Sequence, residues 1–118
     1  MNRLKCKSAR QRIGLISMET VINDLVFEWD EEKNRINKRK HNVSFETAAN
    51  VFLDEDRIEQ PDEFHSDDEE RWQVIGMVDE ILFVIYTKRE EKTRIISARK
   101  ANAKERRKYY GYGDLHFA

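Results

Sequence analysis

Cysteine is almost absent: Cys6 stands alone among 118 residues. A lone thiol excludes an internal disulfide framework and a cysteine-built zinc cage, and it is the usage a reducing cytoplasm tolerates. No stretch approaches the roughly 20 apolar residues of a membrane-spanning helix. The basic start of the chain holds only a short apolar patch at residues 13–16, too little for a signal-peptide core. The protein is therefore expected in the cytoplasm. A glycine-rich phosphate loop, a nucleophile elbow and a cysteine nucleophile motif are missing too, as are internal repeats and low-complexity segments.

What the chain has in excess is charge, at 38% of residues against roughly 25% in globular proteins. The net charge of −1 conceals its arrangement. Residues 33–42 carry Lys33, Arg35, Lys38, Arg39 and Lys40 without an acid, and residues 88–108 hold ten bases against Glu90, Glu91 and Glu105. Residues 43–87 hold thirteen acids and only Arg57 and Arg71. Segregation of this kind gives a strongly positive region, and local potential is what attracts a polyanion. Solvated basic helix faces are the plainer alternative.

The length suits one domain with one core. Residues 1–20 are set aside as an N-terminal extension, either a disordered arm or a product of start-site choice, leaving a single domain over 21–118. Residues 25–29 (LVFEW) read as a strand, after which Asp30 caps a helix that runs to about His41 and exits at Asn42. Ser44 caps a second, amphipathic helix, with Phe45, Ala48, Ala49, Phe52 and Leu53 on its buried face. An edge strand over 57–60 stops at Pro61, and an acidic loop follows. Three β signals over 71–78, 81–89 and 92–100 read as an antiparallel meander, and Asn102 starts a basic helix to about Tyr109. The whole predicts an α+β domain: a small antiparallel sheet with two N-terminal helices and one C-terminal helix.

With two-residue turns, Val78 pairs with Ile81, Arg71 with Lys88 and Leu82 with Arg99. Trp72, Val74, Phe83, Ile85, Ile96 and Ala98 then face the core. Arg71, Gln73, Tyr86, Lys88, Ser97 and Arg99 share the other, mixed face, which suits a ligand with phosphates and stackable bases. Arg71 and Arg99 would stand about 20 Å apart along the strands, too far for one phosphate.

The runs FEWDEEKNRINKRKHNVSFETAANVF, HSDDEERWQVIG and YTKREEKTRIISARKANAKERRKYY together resemble the BrnT family of bacterial toxins over nearly all of residues 27–110. The resemblance implies a compact RelE-like fold and a ribonuclease that arrests translation. It also implies a BrnA antitoxin with a ribbon-helix-helix domain, through which alone operator DNA would be reached. The N-terminal extension and the GYG tail fall outside it.

Metal-free RNA cleavage turns the substrate's 2′-hydroxyl on the neighbouring phosphorus and requires a base, an acid and stabilisation of phosphoryl charge. Arg71, Arg89 and Arg99 fall in the resembled motifs and suit phosphate oxygens as guanidinium forks; surface ion pairing is their alternative. His41 titrates nearest neutrality and is the proton-transfer candidate, or else a helix cap. Glu105, among bases, fits a proton acceptor or an arginine-orienting group. Lys33, Asn37 and Lys40 lie on one helical face and, with Tyr86 and Lys88 of the mixed sheet face, form the expected RNA path. His65 with Asp62, Glu63, Asp67 and Asp68 lacks the spacing of an EF-hand or zinc site, so neither metal nor cofactor is expected. A non-catalytic binding module and an inhibitor that acts only on the ribosome remain the competing readings.

Overall fold

The computed structural model describes residues 17–63 and 69–111. Six strands form one mixed sheet: β1 (Ser17–Ile22), β2 (Leu25–Asp30), β3 (Ile58–Pro61), β4 (Arg71–Val78), β5 (Glu80–Arg89) and β6 (Lys92–Lys100), in the order β1-β2-β6-β5-β4-β3. The sheet is larger than expected and not purely antiparallel, because β2 pairs parallel to β6 in its middle, Val26 opposite Lys92 and Glu28 opposite Arg94. Strand β1 begins at Ser17, so part of the stretch set aside as an extension is sheet; residues 1–16 lie outside the described residues.

Helix α1 (Glu31–His41) starts where Asp30 accepts from the backbone of Glu32 and Lys33, and ends at Asn42 in the left-handed region. It covers the core thinly: Ile36 is 47% exposed, and the buried positions are Asn34 and Asn37. Helix α2 (Phe45–Ala49), capped by Ser44, tightens into a 3₁₀ turn over Asn50–Leu53. With three residues per turn, the inward position passes to Val51, and Leu53, expected in the core, is 49% exposed. Helix α3 (Ala103–Tyr110) opens with a reciprocal capping box between Asn102 and Glu105.

The meander carries two register corrections. Asp79, at φ 63°, makes the β4–β5 connection tighter than two residues, so Met77 pairs with Ile81 and Arg71 with Thr87. In the β5–β6 pair the expected register holds from Arg89–Lys92 to Tyr86–Ile95, then a bulge shifts it, pairing Ile85 with Ser97 and Phe83 with Arg99. A one-residue slip exchanges faces. Leu82, Val84 and Tyr86 consequently join Val74, Ile95 and Ala98 in the core under α1 and α2, where Phe52 meets both Phe27 and Tyr86 at 5.1 Å between ring centroids. Phe83 and Ile85 turn to the opposite face with Arg71, Gln73 and Arg99. Part of that face is covered by α3, whose Tyr109 packs against the small cluster of Ile75, Ile81 and Ala101.

Candidate nucleic-acid interface

The uncovered remainder of the α3 face is a cavity of about 410 Å³ lined by Asp62, Arg71, Gln73, Phe83, Ile85, Ile96, Ser97, Arg99 and Glu105. Its floor is apolar and its rim is charged. Under the corrected register Arg71 and Arg99 lie opposite Thr87 and Phe83, four residues apart along β5, or about 13 Å. That closer spacing lets both arginines line one cavity.

Arg99 is fixed from two sides. Its guanidinium lies 4.2 Å from the Phe83 ring centroid, and Nη1 and Nη2 each donate to one Glu105 carboxylate oxygen at 2.9 Å. Nη1 also donates to the Lys100 carbonyl at 3.1 Å. The carboxylate fork and the ring together set the guanidinium plane before any ligand arrives. Burial acts to raise the Glu105 pKa, but the Arg99 hydrogen bonds, the Asn102 backbone N–H and the Arg99 charge outweigh it and hold the carboxyl below its ordinary range. Glu105 is thus an anion at neutral pH.

Two further lining residues, Gln73 and Asp62, end a relay of polar side chains. Lys108 donates to Gln60 at 2.5 Å, Gln60 to Gln73 at 2.6 Å and Gln73 to Asp62 at 3.2 Å. Asp62 is 2% exposed, and its backbone N–H donates to the Arg71 carbonyl, extending the β3–β4 pairing beyond Pro61. It lines the cavity, whereas the sequence offered it as part of an acidic loop and of a metal cluster that was set aside; its place directly after the edge strand was the available signal.

The remaining expected residues are dispersed. Arg89 sits at the end of β5, exposed and paired with Glu69 at 3.1 Å. Lys88 is exposed beside Trp72 and Glu70 in a separate hollow. Lys33 and Lys40 are exposed on α1, but α1 packs on the face away from the cavity, and His41 at its end does not line the cavity either. Two expectations are corrected outright. Asn37 is buried, donating to the Val43 and Ala98 carbonyls at 2.9 and 2.7 Å and accepting from the Ala98 N–H, so its amide holds α1 to β6. Tyr86 lies in the core with its hydroxyl donating to Glu59, and burial, then that carboxylate, raise its pKa. Among the described residues no three His, Cys, Asp or Glu side chains gather as a metal site; His65, Asp67 and Asp68 lie outside them.

Residues 29–105 match the family model described as "Ribonuclease toxin, BrnT, of type II toxin-antitoxin system". The chain belongs to the BrnT family. The matched span contains all the cavity-lining residues and leaves β1 outside. A crystal structure of the Brucella abortus ribonuclease toxin BrnT, at 1.1 Å resolution, is similar with a TM-score of 0.51 and 27% identity, covering 63% of this chain and 92% of that one. No curated protein matches the chain. As a BrnT member the chain is of the ribonuclease toxin class, and no helix among its described residues is long and apolar enough to cross a membrane.

Proposed function

We propose that this BrnT chain is a cytoplasmic, metal-independent endoribonuclease with a RelE-like fold that inhibits translation and is neutralised by a BrnA-like ribbon-helix-helix antitoxin. The observation that carries the reading is the preorganised Arg99, stacked on Phe83 and forked onto anionic Glu105, sharing a cavity with Arg71. Two guanidinium groups supply fixed donors for phosphoryl oxygens, which is the largest single contribution such a site makes. The exposed parts of Phe83, Ile85 and Ile96 offer a surface on which a base can stack. Glu105 orients Arg99 and, being ionised and in the cavity lining, serves as the proton acceptor for the 2′-hydroxyl of a bound strand.

The test is cleavage of RNA by purified protein. Arg99→Ala is expected to lower the saturated rate by about 100- to 1,000-fold, as loss of one preorganised donor does, and Arg99→Lys is expected to restore little. Excess EDTA is expected to leave the wild-type rate within a few-fold, since the arginines and not a metal neutralise the developing charge. A folded Arg99→Ala protein cutting at the wild-type rate, or RNA that is retarded but never shortened, would refute the reading.

A further inference from the structure

Arg71, Thr87 and Arg94 are direct cross-strand neighbours on β4, β5 and β6, so their side chains share the cavity face. At about 4.8 Å per strand the two arginines start roughly 10 Å apart, separated by a small, buried hydroxyl residue. That hydroxyl donates to the Glu70 carbonyl at 2.5 Å, which draws the 69–70 backbone over the row. There Glu69 accepts from Arg89 through both carboxylate oxygens, Nε at 3.3 Å and Nη2 at 3.1 Å. The Glu69 pKa is lowered, chiefly by the Arg89 hydrogen bonds against an opposing effect of burial, then by the charges of Arg89, Arg71 and Arg94. Three guanidinium groups from three strands therefore act on one carboxylate. Arg94 is held in the row by Glu28 on β2 at 3.4 Å, a pair with both side chains mostly buried.

We infer that Arg71, Arg89 and Arg94 form a binding subsite for a backbone phosphate of single-stranded RNA, and that Glu69 is its built-in occupant, displaced when the strand arrives. A carboxylate forked by an arginine takes the geometry a phosphodiester takes, and each carries one negative charge, so a backbone phosphate can replace Glu69 on Arg89 in kind. The Arg89–Glu69 pair has side chains 50% and 33% exposed, and ion pairs that open to solvent are weak enough to exchange. Because Arg71 also lines the cavity, a strand seated there continues directly onto the subsite. This inference rests on RNA being the substrate, and it adds Arg94 to the binding surface and gives Glu69 a competing role.

The experiment measures binding of a fluorescent, fully 2′-O-methylated RNA oligonucleotide, which lacks the nucleophilic hydroxyl and reports affinity without cleavage. Glu69→Gln is expected to bind about two- to fivefold more tightly, the worth of an exposed ion pair removed from competition. Arg94→Gln is expected to bind more weakly and to lower the slope of log affinity against log salt by about 0.7, one phosphate contact on a single strand. Affinity for Glu69→Gln equal to or below wild type, or an unchanged salt slope for folded Arg94→Gln, overturns the inference. If Arg94→Gln melts because Glu28 loses its partner, the Glu69→Gln comparison decides alone. Cleavage of ordinary RNA separates the two levels. A wild type that cuts RNA while Glu69→Gln gains nothing sinks the subsite only; a wild type that cuts nothing but binds the oligonucleotide with the Glu69 dependence sinks the nuclease reading only.

Discussion

At the residue scale, the same functional group does opposite work depending on what surrounds it. Arg99 is 36% exposed as a side chain and held by a fork and a ring, which preorganises it. Asn37 is 8% exposed and has its amide committed to the backbone of Val43 and Ala98. Removing it would strand two carbonyls and one N–H in the core, and each such group costs about 1–3 kcal/mol when left unsatisfied. Asn37→Ala is therefore expected to lower stability by about 2–4 kcal/mol in urea unfolding, while the affinity of the folded fraction for RNA stays within twofold of wild type. Retained stability with weakened RNA binding would return Asn37 to the RNA path. From sequence, Asn37 was indistinguishable from its neighbours Lys33 and Lys40, because helical spacing identifies a common face but not whether that face meets solvent or backbone.

At the element scale, local chemistry was readable and register was not. The caps at Asp30, Ser44 and Asn102 and the left-handed exit at Asn42 stand where the residue types place them, since a cap depends on a few adjacent residues. Arg71 and Arg99 were read as sharing a face, and Glu105 as either a proton acceptor or an arginine-orienting group; its fork onto Arg99 is the contact the structure contains. The stacking of Arg99 on Phe83 was not foreseen, because one positive φ at Asp79 and one bulge beside Ile85 exchange the faces of β5 and part of β6. Both are single-residue backbone choices that alternation of apolar residues cannot reveal. Gly76 shows how closely the elements approach. A Cβ there would lie 2.9 Å from the Val51 Cβ and 3.1 Å from its carbonyl oxygen, so the 3₁₀ turn rests directly on β4. Gly76→Ala is expected to cost about 1–3 kcal/mol by overpacking, seen as a lower urea midpoint at an unchanged m value; a variant as stable as wild type would mean that the turn shifts freely.

At the scale of the whole molecule, acids and bases that alternate in blocks along the chain are sorted by the fold into a cationic row with its own carboxylate cover. Expression of the chain alone is expected to arrest bacterial growth, with relief on co-expression of a ribbon-helix-helix partner and with no arrest by Arg99→Ala. Normal growth alongside abundant soluble wild-type protein would contradict the toxin assignment. The parallel pairing of β2 with β6 bears on when that toxicity begins. Val26 waits for Lys92, because the inner neighbour of β2 is the last strand among the described residues. Pairings between segments so distant in sequence form slowly, since loop closure precedes any gain from contact. A chain emerging at about 5–20 residues per second therefore carries β2 without its inner neighbour for most of its synthesis. The cavity waits longer still, because Glu105, which sets the plane of Arg99, follows the last strand. The ribosome that makes the chain has thus decoded at least to residue 105 before the Arg99 cavity can be complete.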